Sequence, residues 1–315
     1  MKGLTDIPGI RVGHVSDYEA ITGCTVILTE GGAIAGVDMR GSATGSQEAD
    51  VLNPLHITPY IHGLCLAGGS AFGLEAASGV RRYLESKKIG FAFGGAIVPI
   101  VPSSILFDLG IGRSDVRPTR EMGQAAAAAA NTDAVAEGNV GVGTGCTVGK
   151  IRGLRHAMKG GVGSFTVRLT ETVTVSALVA VNALGDIIDP ASGSIVAGAR
   201  KAPDSREFVN SAEAILGGVR GKTKGGNTTL AVIATNAKLT KTQATKLAQL
   251  AQCGMVRAIS PVHTVSDGDT VYALSVGSET ADFLALGVAA AEAVTQAILR
   301  GVLQAGTLGG VPGLL

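Results

Sequence analysis

A threonine behind a glycine-rich loop is the residue of this sequence with the clearest chemical potential. Residues 224–236 read KGGNTTLAVIATN, so Gly225, Gly226 and Asn227 precede Thr228. A threonine hydroxyl becomes a nucleophile when a base lies beside it, and the α-amine of an N-terminal threonine, with a pKa of about 7.7 to 8.0, is such a base. The bond between Asn227 and Thr228 must then be cut, most simply by the Thr228 hydroxyl itself, in a strained geometry that the glycines permit.

The same stretch also fits an ordinary turn that leads into a buried strand. Asn227 is a common turn residue, and Thr228 and Thr229 favour strands. The residues alone favour this second interpretation.

Two other stretches resemble catalytic motifs but lack required residues. GTGCTVGKI at 143–151 differs from a phosphate-binding loop, because Thr144 stands where the first glycine is needed and Ile151 where Ser or Thr is needed. LAGGSAFGLE at 66–75 differs from a nucleophile elbow, because Phe72 replaces the second glycine. Ser70 is therefore predicted to cap a helix. The sequence does not exclude a Ser-His-Asp triad, because the three residues of a triad can be far apart in the chain and close together only in the folded protein.

Neither the histidines nor the cysteines form a metal-binding pattern. The histidines are predicted to be structural or surface residues: His14, His56, His62, His156 and His263. The cysteines are too widely spaced for a zinc cluster and are predicted to be buried thiols: Cys24, Cys65, Cys146 and Cys253. We expect no metal and no cofactor.

Composition narrows the class of protein. The chain has 315 residues, of which 46% are hydrophobic, enough for one large domain or two modest ones. A net charge of +1 and an aromatic content of 3% argue against nucleic-acid binding and favour a small substrate. The N-terminus does not resemble a secretory signal, and glycines and prolines interrupt the uncharged run 89–106, which is interpreted as buried strand and loop. We expect a cytoplasmic protein without a membrane span.

Short apolar runs alternate with alanine-rich segments, which predicts sheets covered by helices in one globular unit. The predicted strands are 25–28, 63–66, 140–143, 172–181, 230–235 and 270–276, and the predicted helices are 71–84, 124–130 and 283–303. A capping box at 240–243 predicts a further helix that Gly254 ends. The basic segment 220–226 is predicted to be an exposed loop before a central strand.

Five ordered segments resemble the L-aminopeptidase/D-esterase family of N-terminal nucleophile hydrolases, which includes β-aminopeptidases and nylon-oligomer hydrolase. They are CLAGGSAFGLEAASGV at 65–80, GVGTGCTVGK at 141–150, LVAVNALGDI at 178–187, GNTTLAVIATN at 226–236 and SDGDTVYAL at 266–274. The resemblance implies an α/β fold, an αββα sandwich related to the ornithine acetyltransferases. It also implies that residues 1–315 form one domain, which cuts itself into fragments 1–227 and 228–315 that stay together and assemble into oligomers, commonly of four units.

The resemblance also assigns roles to site residues. Asn182 matches the oxyanion asparagine of the family, although alone it would be interpreted as a turn residue. Lys150 matches a lysine near the nucleophile, which either lowers the pKa of the Thr228 amine or donates to the oxyanion; alone it would be a solvated lysine. Asp267 and Asp269 fit a hairpin turn, but in an extended segment they share a face and together hold Thr228.

The expected function is hydrolysis of peptides or related amides through an acyl-enzyme on Thr228. The substrate stays open between L-, D- or β-aminoacyl peptides and nylon-type oligomers. Two alternatives remain, an acyl transferase similar to the ornithine acetyltransferases and a glycine-rich binding protein without catalytic activity.

Overall fold

Sixteen strands and five α-helices form within the residues that the structure, a computed structural model, describes, namely 1–219 and 226–315. The strands are β1 (Arg11–Asp17), β2 (Thr22–Met39), β3 (Ser46–Gln47), β4 (Ile61–Ala67), β5 (Phe91–Phe93), β6 (Ala96–Val98), β7 (Ser103–Ile105), β8 (Thr147–Val148), β9 (Met158–Lys159), β10 (Val162–Arg168), β11 (Thr174–Asn182), β12 (Asp186–Ile188), β13 (Ile195–Ala197), β14 (Thr228–Ala237), β15 (Ile259–Ser260) and β16 (Thr270–Glu279). The α-helices are α1 (Ala76–Ser86), α2 (Arg120–Ala129), α3 (Ser211–Leu216), α4 (Lys241–Ala258) and α5 (Phe283–Leu303).

The long strand β2 belongs to two sheets. Its first part pairs with β1 and β4, and its last part, from Ile34 to Met39, pairs with β16. One sheet continues from β4 to β7 and β3, and the other has the order β10-β11-β14-β16-β2. In this second sheet β14 is central, antiparallel to β11 and parallel to β16. The prediction of a central strand after Thr229 is confirmed.

Alternating apolar residues build a core on each face of both sheets. In β14, Leu230 and Val232 enter the core between the sheets, whereas Ala231 and Ile233 enter the core beneath α4 and α5. In β4, Leu66 joins the same central core, whereas Cys65 faces the core formed with α1 and α2. Because side chains alternate along a strand, these memberships define four layers: helices, sheet, sheet and helices. The predicted αββα sandwich is confirmed.

Helix α4 begins as predicted but ends later. Thr240 accepts a hydrogen bond from the Gln243 N–H, and the Gln243 side chain accepts one from the Thr240 N–H, which completes the capping box. Gly254 does not end the helix, which continues to Ala258. A Cβ atom at Gly254 would lie 2.4 Å from the carbonyl oxygen of Ala291 in α5. This glycine therefore allows α4 and α5 to approach closely.

Two further local predictions are wrong because hydrogen bonds from distant residues decide the structure. Residues 140–143 form no strand but a 3₁₀ turn, in which the Val142 N–H donates to the Thr25 hydroxyl. Ser70 does not cap a helix: it has φ +54° and its side chain makes no capping contact. A 3₁₀ segment spans Ser70–Glu75, and α1 begins only at Ala76.

Two burial predictions need correction. In the run 89–106 only residues 99–106 are continuously buried, and β5 and β6 form a hairpin that exposes Phe91 and Phe93. Three cysteines are buried as predicted, but Cys253 is exposed. Most of the loop predicted at 220–226 lies outside the described residues.

Helix α5 is the one helix among the described residues that is long and apolar enough to cross a membrane. It packs on α4, β10 and β11, and more than half of its apolar stretch is buried. Its apolar residues are thus part of the core beneath the second sheet.

Candidate active site

Thr228 lies at the end of the central strand pair. It is the first residue of β14, and the antiparallel register places it opposite Asn182, the last residue of β11. Both side chains are buried. The Thr228 hydroxyl donates to the carbonyl oxygen of Asn227 at 2.5 Å, and the Gly268 N–H donates to the same oxygen at 2.8 Å. The nucleophile predicted from the sequence therefore touches the carbonyl group of the bond that it is predicted to cut.

The segment from Asp267 to Asp269 is extended and does not form a hairpin turn. On one side Asp267 forms a parallel bridge with Asn227. On the other side the Ala43 N–H donates to the Asp267 carbonyl oxygen at 2.9 Å, and the Arg40 N–H donates to the Asp269 carbonyl oxygen at 3.0 Å. These backbone contacts hold both aspartates beside the end of β14.

Asp269 contacts the backbone next to the nucleophile. Its Oδ1 accepts from the Thr229 N–H at 2.7 Å. Its Oδ2 accepts from the backbone N–H of His263 at 3.0 Å and lies 2.9 Å from the Nδ1 of the same histidine. Both carboxylate oxygens are therefore occupied, and neither contacts the Thr228 hydroxyl in the uncut chain.

Asp267 also holds nearby backbone and side-chain groups. It accepts hydrogen bonds from the Leu184 N–H, at 3.1 Å, and from the Thr264 hydroxyl. Burial, together with the neighbouring charge of Asp269, raises the pKa of Asp267. A carboxyl group in this environment accepts a proton more readily than an exposed aspartate does.

Lys150 is a buried residue of the site and not a solvated surface lysine. Its Nζ donates to the carbonyl oxygen of Asn182 at 2.9 Å, to the Asn182 Oδ1 at 2.8 Å and to the Gly226 carbonyl oxygen at 3.1 Å. Burial lowers the pKa of Lys150 to about 7, against the opposing effect of Asp267. Near neutral pH the amine is thus present in both charged and neutral forms.

The contacts of Asn182 fix the orientation of its side-chain amide. Its Oδ1 accepts from Lys150 and from the Thr147 N–H at 3.0 Å, so the other atom is the amide nitrogen. This Nδ2 donates to the carbonyl oxygen of Phe107 at 3.1 Å. The predicted oxyanion donor is therefore present beside the nucleophile and bonded to a main-chain oxygen in the uncut chain.

A cavity of about 320 Å³ opens beside Lys150 and Asn227. Its apolar walls include Phe107, Ile111 and Leu154. Asp108 also lines it, as a buried carboxyl group that accepts from the Thr22 hydroxyl and the Gly69 N–H, both at 2.7 Å. Burial raises the pKa of Asp108. The cavity therefore combines apolar walls with a border formed by Lys150 and Asn227.

The structure thus brings together all the residues predicted from the sequence, and their catalytic roles stay predictions. Several contacts were not predicted, namely those of His263, Gly268, Thr147 and Phe107. Gly268, Thr147 and Phe107 make these contacts through their backbone groups. Other residue types have the same backbone groups, so the side chains at these positions do not reveal the contacts in the sequence. His263 stands six residues before Asp269, and this short spacing was the one available sign. Among the described residues, no group of three or more His, Cys, Asp or Glu side chains could hold a metal ion.

Comparisons with known proteins show the family of the chain. The family model for peptidase family S58 matches residues 2–314. A relative from Mycobacterium tuberculosis (strain ATCC 25618 / H37Rv), named an uncharacterized aminopeptidase, is 39% identical over 99% of this chain and 96% of its own length. A 6-aminohexanoate-oligomer endohydrolase of Agromyces sp. (strain KY5R) is 31% identical over 94% of this chain and 84% of its own length.

Two solved structures show the same fold. The L-aminopeptidase D-Ala-esterase/amidase from Ochrobactrum anthropi, described as a new variant among the Ntn hydrolase fold, superposes with a TM-score of 0.74 at 19% identity, over 99% of this chain and 88% of that one. A β-aminopeptidase from Burkholderia sp. superposes with a TM-score of 0.72 at 24% identity, over 100% of this chain and 91% of that one. The layered sandwich is therefore the Ntn hydrolase variety of α/β fold.

Proposed function

The chain belongs to peptidase family S58, and from that membership we propose that it is a self-processing amide-bond hydrolase. It cuts its own backbone between Asn227 and Thr228, and the new N-terminal Thr228 then attacks peptides or related amides. The observation that carries this proposal is the contact of 2.5 Å between the buried Thr228 hydroxyl and the Asn227 carbonyl oxygen. This contact holds the hydroxyl beside the carbonyl group that it attacks in the proposed step.

In the self-cleavage step, the Thr228 oxygen bonds to the Asn227 carbonyl carbon and the carbon–nitrogen bond breaks. The hydroxyl proton passes through a neighbouring base to the departing nitrogen, which becomes the Thr228 amine. The proposed base is Asp267, which directly precedes Gly268, the residue that donates to the Asn227 carbonyl oxygen, and whose pKa is raised. The Gly268 N–H, 2.8 Å from the carbonyl oxygen, stabilises the developing negative charge. Water then hydrolyses the ester, which leaves an Asn227 carboxylate and a free Thr228 hydroxyl.

In turnover, the Thr228 amine takes the proton of its own hydroxyl while the oxygen attacks the substrate carbonyl. The same proton goes to the departing amine, and water later releases the acyl group from Thr228. Asn182 is the proposed donor to the tetrahedral oxyanion. Lys150, which binds Asn182 through two contacts, either lowers the pKa of the Thr228 amine or adds a second donor.

We propose that the acyl part of the substrate is an apolar chain. The cavity beside Lys150 has apolar walls at Phe107, Ile111 and Leu154. Relatives named as an aminopeptidase and as a 6-aminohexanoate-oligomer endohydrolase support two substrate classes, aminoacyl peptides and oligomers with methylene chains. A panel of L-, D- and β-alanine p-nitroanilides and linear 6-aminohexanoate oligomers distinguishes the two classes.

The decisive experiment is mass spectrometry of the purified, denatured protein. We expect wild type to yield two fragments, with residues 1–227 and 228–315, and Thr228→Ala to yield one intact chain, because it lacks the attacking oxygen. Thr229→Ala is the matched control, since it removes the adjacent hydroxyl and keeps the Thr229 N–H that Asp269 binds. Intact wild type after long incubation would exclude Thr228 as an N-terminal nucleophile.

The same measurements address the two alternatives. A binding protein without catalytic activity remains one intact chain. An acyl transferase similar to the ornithine acetyltransferases is cut but needs an amine acceptor, so release of p-nitroaniline or 6-aminohexanoate without added amine separates hydrolysis from transfer.

A further inference from the structure

We propose that His263 is a positioning residue, which orients the nucleophile through Asp269. The inference rests on the proposed function. The contacts form a chain: the His263 ring lies 2.9 Å from Asp269 Oδ2, and Asp269 Oδ1 accepts from the Thr229 N–H at 2.7 Å. This N–H belongs to the peptide bond that directly follows Thr228. Its orientation therefore helps to hold the Thr228 backbone, from which the side chain with the hydroxyl projects.

His263 holds the carboxylate in two places from one residue. Its backbone N–H donates to Asp269 Oδ2 at 3.0 Å, and its ring Nδ1 lies 2.9 Å from the same atom. Because a carboxylate accepts, we assign the proton of the ring to Nδ1. Two donors on one oxygen, with the Thr229 N–H on the other, fix the plane of the carboxylate. Loss of the ring leaves one donor on a buried oxygen and allows the plane to rotate.

Two features of His263 are unfavourable for the stability of the fold, and the contact between its ring and Asp269 offers a reason for both. The backbone of His263 is left-handed, with φ +54°, which is unfavourable for a residue other than glycine. Its Nε2 is buried and has no hydrogen-bond partner in the described part of the chain. The contribution of His263 is the pair of donors that it directs at Asp269.

The histidine is held where it is by the strands on both sides of it. Before it, β15 pairs with β12 through Ser260 and Ile259. After it, the extended segment from Asp267 to Asp269 is bonded to Asn227 and to residues at the end of β2. Backbone hydrogen bonds therefore hold Thr228, Asp269 and His263 in one connected part of the structure. Loss of the His263 ring would affect Thr228 through only two hydrogen bonds.

The test compares three side chains at position 263 in the full chain. His263→Gly removes the ring donor and relieves the left-handed backbone, so any loss of activity comes from the missing donor and not from strain. His263→Asn keeps an N–H donor at the position of Nδ1 and tolerates the left-handed backbone. His56→Gly and His56→Asn, at an exposed histidine, are the matched controls. The rate of self-cleavage is followed on pulse-labelled protein from cell-free translation by denaturing electrophoresis.

We expect His263→Gly to slow self-cleavage by about tenfold to hundredfold, the usual effect of losing a hydrogen bond to a charged group. For the cut enzyme acting on the linear 6-aminohexanoate trimer, we expect kcat to fall by a similar factor and KM to stay within about twofold. His263→Asn should restore both rates to within about threefold of wild type, and the His56 variants should match wild type.

The outcomes separate this inference from the proposed function. Wild type that stays uncut removes the proposed function itself. If wild type is cut and His263→Gly is cut at the same rate, only the role of His263 is overturned. Should His263→Gly fail to fold, the folded His263→Asn decides: cutting close to the wild-type rate supports the role of the donor, and cutting slowed tenfold or more, by the estimate above, excludes it.

Discussion

At the scale of single residues, the site depends on a buried lysine that is bound to neutral groups. Lys150 donates to two oxygens of Asn182 and to the Gly226 carbonyl oxygen, and no carboxylate is among these partners. Dipoles compensate a buried charge less well than an opposite charge does, so its pKa falls to about 7. The residue that borders both Asn182 and the predicted cut is therefore the one whose charge changes near neutral pH.

The stability of the uncut chain should depend on pH through Lys150. Between pH 7 and the ordinary lysine pKa of 10.5, the unfolded chain holds a proton at this position and the folded chain does not. Stability therefore rises with pH in this window, by up to about 1.4 kcal/mol per pH unit. We expect Thr228→Ala/Lys150→Met to show a smaller rise than Thr228→Ala in urea unfolding from about pH 6 to about pH 10, because the variant loses the part that is due to Lys150.

A second buried lysine provides the control. Lys159 donates to the carbonyl oxygens of Thr144 and Cys146, and burial lowers its pKa to about 8. Lys159→Met in the same Thr228→Ala background should remove a different part of the rise in stability with pH. This part begins about one pH unit higher than the part that is due to Lys150. Equal slopes in all three proteins would show that neither lysine loses its proton on folding in this range.

At the scale of elements, strands and helices with strong periodicity were predictable. The apolar runs of β14 and β16, the capping box of α4 and the apolar stripe of α5 each depend on neighbouring residues, and the structure has all of these elements. Ser70 and the segment 140–143 were not predictable, because their conformation depends on distant partners. The Gly69 N–H is bonded to Asp108, and the Val142 N–H to Thr25.

The residues of the site also differ in how far the local sequence could identify them. Local chemistry raised Thr228 as a possible nucleophile but favoured an ordinary turn and strand. The resemblance was needed to choose Thr228, and also Asn182 and Lys150, because a lone asparagine or lysine has many structural uses. His263 was interpreted as a structural or surface residue, and the contact with Asp269 appears only when a left-handed backbone turns its ring and its N–H to the same oxygen.

The contact between α4 and α5 gives a prediction at this scale. Gly254→Ala should destabilise the protein by about 1 to 3 kcal/mol although alanine favours helices, because the new Cβ would lie 2.4 Å from the Ala291 carbonyl oxygen and 2.8 Å from Val294 Cβ. Thermal unfolding measures the effect. Gly287→Ala in α5 is the control, since its nearest neighbour is the end of the Leu250 side chain, which can move. Equal stability of the two variants would contradict close backbone packing as the reason for Gly254.

At the scale of the whole molecule, the two predicted fragments are interleaved. The fragment 228–315 contributes β14 and β16, and these lie between β11 and β2 of the fragment 1–227. Helices α4 and α5 of the smaller fragment cover the outer face of the same sheet. Separation of the fragments would break the hydrogen bonds between β14 and β11 and those between β16 and β2. It would also expose the core between the sheets and the core beneath α4 and α5.

We therefore expect the cut protein to keep its native mass. From the family resemblance we expect light scattering on wild type to give one species with four copies of each fragment. Uncut Thr228→Ala should give the same mass, because the fold of the uncut chain already holds both fragments together. Denaturant should release two chains from wild type and one from Thr228→Ala. Fragments that separate under native conditions would contradict the interleaving, and a native mass other than four units would contradict the predicted assembly.

On the proposed scission, the central place of β14 has a consequence for how long the cut protein stays folded. Before scission the chain can unfold and return by itself, since all its parts are tethered. After scission the strand that completes the sheet belongs to a separate polypeptide, and recovery requires two molecules to meet at a rate that falls with dilution. The mature form then survives heat or denaturant according to how slowly it opens and not according to an equilibrium. Unfolding that the uncut chain reverses by itself would therefore be reversed more slowly in the cut protein, and most slowly at high dilution.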